Sequence, residues 1–292
     1  MKTWNKELPT ARLLGNFEDG SAEWHMIRSQ GIGGSEIGTI LGLNPWESAY
    51  TLFHKKLGLI EDNIENNWAI RFGKAFESPI LGLFGEEHKD LTLYTVGTFV
   101  NNTNDWMHAN PDAIAEHKET KELTIIEVKT ARSSWSELPP HYEAQVMWYM
   151  HVTGIRKAIV VGVNGMTYQE YEVEYDEFMG NLYEERAQAF WDTLKAQVAP
   201  DWDGSKSTFE TVRQLHPDIA DDSVDLHTFG YKLKEAQHKF EESEYELNQI
   251  KSQVLSAMDK ARYGYVVSES GEQVIVAQRQ ARSGGKPFLI IK

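Results

Sequence analysis

Asn110-Pro111-Asp112 and, after a turn, Ile125-Ile126-Glu127-Val128-Lys129 are the two stretches from which the rest of the chain is read. In an extended strand alternate residues face one side, so Glu127 and Lys129 project together while Ile126 and Val128 project to the other face. The apolar neighbours imply burial. A buried Glu and Lys are costly unless paired or bound to a metal. Asp112 stands at the end of the preceding strand, where a hairpin can bring it beside Glu127. A bare Glu-x-Lys on a strand is more often a structural salt bridge than a site. The preceding Pro-Asp and the apolar setting shift the balance toward chemistry.

Outward from this pair, period-two segments run over 91–100, 106–115 and 123–130. A helix is expected over 140–152, strands over 158–163 and 168–175, and a helix over 176–197. Toward the N-terminus, Ser35 is expected to cap a helix through Leu41, ended by Gly42, Asn44 and Pro45. Ser48 is expected to cap another through Leu57, stopped by Gly58. Residues 66–87 show a longer helical pattern. This order predicts an α/β (α+β) fold with a restriction-endonuclease-like central mixed sheet flanked by helices. The turn-rich 200–207 (PDWDGSKS) places a boundary after Gly204, giving a core over 1–204 and an extension over 205–292. The extension should hold one long helix, 229–258. There Leu233, Ala236, Phe240, Ser243, Leu247, Ile250, Val254 and Ala257 alternate spacings of three and four, a coiled-coil-like seam that can pack on the core, on its own tail or on another subunit. Short strands at 263–267 and 274–278, Arg282-Ser283-Gly284-Gly285-Lys286 and an apolar strand complete it.

The 292 residues are 41% hydrophobic and 25% charged, enough for a sizeable core. There is no cysteine, which excludes disulfides, thiolate metal sites and cysteine nucleophiles and makes a reducing cytoplasm the expected location. Met1 to Thr10 has no apolar signal core, and no stretch approaches a membrane span. The net charge of -15 argues against a protein that coats nucleic acid non-specifically, since phosphate binding relies on Lys and Arg. It leaves room for a local basic lining around a metal site, where bound cations reverse the local field.

Hard divalent cations take oxygen ligands, and two carboxylates plus a substrate phosphate suit them. On that reading Asp112 and Glu127 hold metal, and Lys129 orients or deprotonates water or neutralises the transition state. Two anomalies point the same way. Glu77 shares a helical stripe with Ile70, Gly73, Ile80 and Phe84, and Gln145 shares one with Trp148, Tyr149 and Val152. Polar residues at such positions need a partner. Lys55, Lys56, Arg71 and Lys74 are candidates for a nucleic-acid path, although helical lysines are more often merely solvated.

The pieces Trp24 and Arg28, Gly31-Ile32-Gly33-Gly34-Ser35-Glu36-Ile37, Leu43-Asn44-Pro45-Trp46, Gly73–Glu77, Asn110-Pro111-Asp112, Glu127-Val128-Lys129-Thr130 and Gln145–Gly154 occur in that order. Together the chain resembles the phage lambda exonuclease and YqaJ-like viral recombinase family, within the PD-(D/E)xK nuclease superfamily. The resemblance implies a 5′-to-3′ exonuclease acting on double-stranded DNA ends with two Mg²⁺ or Mn²⁺ ions and leaving a 3′ overhang for a single-strand annealing protein. It implies metal ligands Asp112, Glu127 and the Val128 carbonyl, with Glu77 and Gln145 completing the site and Lys129 as catalytic lysine. Arg28 and Ser35 would contact the 5′ phosphate, with Arg132 as a second phosphate contact. It also implies a homo-oligomer, a ring or trimer. The alternatives are an endonuclease of the same superfamily, specific for structure or sequence, and a non-catalytic DNA-binding subunit that keeps the fold.

Overall fold

A computed structural model describes residues 1–18, 20–60, 68–281 and 285–292. The chain forms two compact units, Met1–Asp218 and Ile219–Lys292.

The first unit is built around β7 (Leu123–Thr130), whose Ile125 to Val128 are buried on both faces. Strands covered on both sides read as near-continuous apolar runs, and here the charged interruptions are Glu127 and Lys129. β7 pairs antiparallel with β6 (Ala113–His117) and parallel with β8 (Lys157–Asn164). β3 (Leu91–Thr95) and β1 (Lys2–Thr3) continue the sheet beyond β6, and β9 (Thr167–Glu174) lies beyond β8, giving the order β1-β3-β6-β7-β8-β9. This is the expected central mixed sheet. A second, three-stranded sheet is formed by β2 (Ala11–Gly15), β4 (Thr98–Asn101) and β5 (His108–Ala109).

The two faces of β7 decide which helices matter. Ile126 and Val128 face a smaller core with Ile80, Leu81 and Phe84 of α4 (Trp68–Glu87). Ile114, Ile125, Ala158 and Val160 face the main core, which holds α5 (Pro140–Thr153). Helix α5 buries residues all round its axis, including Ala144 to Met150, so it behaves as an internal helix between layers rather than a surface one. Pro140 at its first position and Gly154 in the left-handed region after its last turn fix both ends. Outside it lies α6 (Glu177–Ala196), capped by Asp176 and closed by Gln197. The remaining helices of this unit are α1 (Ala22–Ser29), α2 (Gly34–Ile40), α3 (Ala49–Lys56) and α7 (Lys206–Leu215). Among the described residues no helix is long and apolar enough to cross a membrane.

Four expectations need correction. The period-two runs at 91–100 and 106–115 are each broken into two strands that belong to different sheets. The breaks fall at Val96-Gly97 and at Asn110-Pro111-Asp112, where a glycine and a proline let the chain leave one sheet for the other. Helix α2 starts from Gly33, not Ser35, because the Glu36 carboxylate accepts the Gly33 N–H at 2.9 Å and closes the first turn. The boundary expected after Gly204 lies one helix later, since α7 belongs to the first unit. The start of the helix expected at 66, with the stretch 282–284, lies outside the described residues.

Hydroxyl groups hold α7 to α3. Thr208 Oγ1 donates to Ser48 Oγ at 2.8 Å, and Thr51 Oγ1 lies 2.8 Å from Thr211 Oγ1 and 2.6 Å from Ser207 Oγ. Ser48 also caps α3 by accepting the Thr51 N–H at 3.1 Å. The second unit consists of α8 (Thr228–Met258) and a sheet of β10 (Tyr263–Val267), β11 (Gln273–Gln280) and β12 (Phe288–Ile291). Ser48→Ala removes a cap and a buried hydroxyl acceptor together. It is expected to destabilise the first unit by about 1–2 kcal/mol in urea unfolding followed by tryptophan fluorescence, and an unchanged midpoint would refute this account of the α3–α7 junction.

Candidate active site

The strand alternation on β7 places Glu127 on the α5 side of the sheet, where it is 2% exposed. Its Oε1 accepts two hydrogen bonds, from Lys129 Nζ at 2.7 Å and from Gln145 Nε2 of α5 at 2.6 Å. Its Oε2 is buried and has no hydrogen-bond partner among the described residues. Gln145 also donates to Tyr149 Oη at 2.9 Å, one turn along α5. The expected polar interruption of the α5 face is thus explained by the carboxylate it meets.

Asp112, just after the Asn110-Pro111 break, accepts the Val128 N–H through Oδ2 at 2.7 Å. A backbone amide that a regular antiparallel ladder would use for pairing instead anchors this side chain. Burial, then the Glu127 charge, then Glu77 of α4 push the Asp112 carboxyl well above the usual carboxylate range, against the opposing pull of Lys129. Burial alone would lower the Lys129 ammonium, but Glu127 and Asp112 outweigh it and hold it above its usual value. Its Nζ also sits 5.2 Å from the centre of the Tyr142 ring. Asp112, Glu127, Lys129 and Gln145 therefore converge, with half-buried Glu77 near enough to act on Asp112.

The charge balance of this group is its main chemical property. Three acidic side chains face one ammonium, and one buried carboxylate oxygen lacks a donor. Among the described residues no three acidic or histidine side chains close tightly enough to form a complete metal cage. The donor set instead fits a hard cation held through one or two carboxylates and completed by water and substrate phosphate. Glu127 Oε2 and the Asp112 carboxylate are the atoms that can hold it, with Glu77 alongside.

A second buried charge cluster lies at the start of α2. Lys56, at the end of α3, donates to Arg28 O at 2.7 Å, to Gly31 O at 2.6 Å and to Glu36 Oε2 at 2.9 Å. Three acceptors around one Nζ require three N–H donors, hence an ammonium. Burial would raise the Glu36 carboxyl, but Lys56, Arg28 and the Gly33 N–H hold it below its usual range. For Lys56 burial wins and the ammonium is pulled down. Glu36 Oε1 accepts Arg28 Nη2 at 3.0 Å, and the same Nη2 lies 3.3 Å from Ser35 Oγ. The Arg28 guanidinium also lies 4.7 Å from the Trp24 ring centre. Arg28 and Ser35 are thus brought together as expected.

Tyr149 links the two clusters. A Cβ at Gly34 would lie 2.4 Å from the Tyr149 ring, so only glycine lets the start of α2 pack on the residue that holds Gln145. Arg132 is not brought in; it is exposed beyond the end of β7, and no hydrogen bond joins it to the cluster among the described residues. Lys56, expected on a nucleic-acid path or in solvent, is buried instead. Lys55 pairs with Glu47 at 2.7 Å. Glu36 and Tyr149 were missed as site residues. The signal for Glu36 was its place three residues after an N-cap glycine, and none marked Tyr149.

Glu36→Gln would leave Lys56 buried without a counter-charge. The expected cost is about 3–5 kcal/mol, read by urea unfolding near neutral pH. Because the folded carboxyl lies below its unfolded value, the wild type keeps this contribution above the ordinary glutamate range and loses it as pH falls through the lower folded value. The gap between wild type and variant should therefore narrow in acid; a gap that stays constant or widens would contradict the pairing.

Comparison with known proteins adds to this geometry. Residues 23–156 match a family model described as the YqaJ-like viral recombinase domain. The YqaJ protein of Bacillus subtilis (strain 168) is 25% identical over 272 residues, 87% of this chain and 83% of that protein. An alkaline exonuclease from Laribacter hongkongensis, solved in complex with dAMP, has a TM-score of 0.51 at 18% identity, covering 68% of this chain and 100% of that one. Another structure of that exonuclease has a TM-score of 0.50 at 19% identity, covering 61% and 94%. At these identities the likeness to the solved structures shows the fold. The family match runs from α1 past the end of α5, so Arg28, Ser35, Glu77, Asp112, Glu127, Lys129 and Gln145 all fall inside it, and over those residues the chain is similar to the YqaJ-like viral recombinase domain.

Proposed function

We propose that this chain is a metal-dependent exodeoxyribonuclease that hydrolyses one strand of double-stranded DNA from its 5′ end. The observation that carries the proposal is Glu127 Oε2, a buried carboxylate oxygen without a hydrogen-bond partner among the described residues, on a side chain whose other oxygen accepts from the Lys129 ammonium and whose charge acts on Asp112. A buried anionic oxygen left without a donor is costly in a purely structural cluster; it suits a cation ligand. A bound Mg²⁺ or Mn²⁺, or a pair, would supply charge neutralisation and a nucleophilic water at the scissile phosphate. The exonuclease fold relatives and the recombinase-domain match support the reaction class.

The residues divide the work by position. Asp112 and Glu127 bind the cation, Asp112 held by the Val128 N–H and Glu127 held through its other oxygen by Gln145. With both oxygens of Glu127 committed, the carboxylate cannot rotate. Lys129, kept charged by its two acidic neighbours, stands where it can orient water or offset charge building on the phosphate. Gln145 fixes Glu127 and shares its amide with Tyr149. Glu77 adds negative charge on the α4 side, and the Val128 carbonyl is a further oxygen donor on the same strand. The 5′ polarity rests on Arg28 and Ser35. An arginine has five N–H donors, and the contacts to Ser35 and Glu36 both run through Nη2, so the rest of the fork can meet a terminal phosphate. Release of a 3′ overhang to a single-strand annealing protein, and assembly as a ring or trimer, belong to the same proposal.

The test is digestion of linear duplexes labelled at either end, with and without a 5′ phosphate, and of closed circles. Label should leave the 5′-phosphorylated strand first, and closed circles should survive. Cutting of closed circles would replace this reading with an endonuclease. Lys129→Ala and Glu127→Ala should each lower the rate by about 10²-fold or more. Calorimetric titration with Mn²⁺ should lose its heat in Glu127→Ala; equal heats in variant and wild type would end the metal assignment and leave a non-catalytic DNA-binding module.

A further inference from the structure

Lys129 has two anchors of different kinds. One is Glu127, whose Oε1 accepts from Nζ at 2.7 Å. The other is the ring of Tyr142, in the first turn of α5, whose centre lies 5.2 Å from the same Nζ. That is within the range over which an aromatic face attracts an ammonium.

The ring is supported from behind. Lys129 stands opposite Gly162 in the parallel register of β7 and β8, so the two positions face the same side of the sheet. Gly162 leaves a notch on that side: a Cβ would lie 3.1 Å from the Trp135 ring and 3.3 Å from the Tyr171 ring. Trp135 packs over the notch, and Tyr171 Oη donates to the Trp135 carbonyl at 2.8 Å, which pins the connection from β7 to α5. Tyr142 then sits against Trp135, with ring centres 5.2 Å apart, and against His141, with ring centres 4.1 Å apart. The Tyr142 hydroxyl has no hydrogen bond among the described residues, and burial keeps it protonated by pushing the phenol above its usual value. What Tyr142 offers Lys129 is its ring.

The two anchors respond differently to a cation. A divalent ion on Glu127 draws on the charge that holds Lys129, and it repels the ammonium directly. The ring face presents no oxygen for which a hard cation would compete. It also uses none of the three ammonium N–H groups. With one given to Glu127, two remain for water or a phosphate oxygen.

On the nuclease reading, on which this rests, we infer that Tyr142 is the positioning residue for the catalytic lysine: its ring face keeps the Lys129 ammonium in place when a bound cation has weakened the Glu127 contact.

The contact and its consequence are measured separately. In protein labelled with ¹³C-lysine, the Lys129 ε-methylene resonance is identified as the one missing from Lys129→Ala. It should lie upfield of the other lysines, as expected of a group over an aromatic face, and should stay upfield when Mg²⁺ is added. It should remain there in Tyr142→Phe and move to the ordinary lysine position in Tyr142→Leu. In digestion of linear duplex at saturating Mg²⁺, Tyr142→Leu should lower kcat about tenfold, with KM and the heat of Mn²⁺ titration unchanged. Restoring the ring as Tyr142→Phe should rescue the rate. Urea unfolding checks that Tyr142→Leu folds, and the wild-type resonance with and without Mg²⁺ needs no substitution at this position. A Lys129 resonance that is not shifted upfield, or that loses its shift with Mg²⁺, would overturn the inference. So would a Tyr142→Leu rate equal to that of the wild type, or a loss shared by Tyr142→Phe, which would assign the role to the hydroxyl. A wild type that digests nothing or takes up no Mn²⁺ would instead bring down the nuclease reading, and this role with it.

Discussion

A carboxylate sealed inside a sheet is among the least tolerable groups a protein can fold around, and the first unit is arranged to make one tolerable at Glu127. Removing an ionised carboxylate from water costs several kcal/mol even after relaxation. Here the offsetting groups come from two elements fixed for other reasons. Lys129 is delivered by strand alternation on β7, because a residue two positions on must share the face. Gln145 is delivered by α5, which is buried all round and so cannot rotate to withdraw its amide. The compensation is incomplete: among the described residues one oxygen of Glu127 has no donor, and Asp112 adds a second acidic group. A site that is rigid and under-neutralised at once is what a cation-requiring reaction wants, since binding then relieves repulsion without a rearrangement.

The same logic recurs at the start of α2 with the opposite outcome. Glu36 and Lys56 are as deeply buried, but every donor and acceptor around them is matched: Lys56 satisfies three oxygens, and Glu36 takes Lys56, Arg28 and the Gly33 N–H. Such a cluster holds shape rather than performing chemistry. It fixes the carbonyls of Arg28 and Gly31, and with them the turn that presents Arg28 and Ser35. The contrast between a matched and an unmatched buried carboxylate, joined through Tyr149, separates a positioning role from a chemical one inside a single packed unit.

How much of this could be read in advance depended on whether the deciding contact was local. The facing of Glu127 and Lys129 is a two-residue property of any strand, so it was legible. The helix at α5 and the cap at Ser48 follow from local signals and fell where the sequence placed them. Lys56 was misread because its three acceptors are 20 or more positions distant in the chain; nothing near it distinguishes a buried lysine from a solvated one. The split between β3 and β4 was hidden because period two persists through it. Only the tertiary neighbour shows why Gly97 is there: a Cβ would strike the Gly15 carbonyl at 2.3 Å. Helix α7 was missed because its buried positions are Thr208 and Thr211, which carry hydroxyls rather than an apolar stripe. Arg132 was a candidate from its place three residues after Lys129, and among the described residues no hydrogen bond joins it to the cluster.

The strongly acidic composition then stops being an objection to work on DNA. Repulsion between a net negative surface and a phosphate backbone acts over about a Debye length, roughly 8 Å at physiological salt, and slows encounter without deciding what happens in the site. Within the site the acidic excess is concentrated at Asp112, Glu127 and Glu77, where the proposed divalent cations would invert its sign toward phosphate. Arg28 is a half-buried cation that the fold holds in place through Glu36 and the Trp24 face. On the proposed reading, attraction for nucleic acid would be confined to the point where the cation and Arg28 act on the same strand.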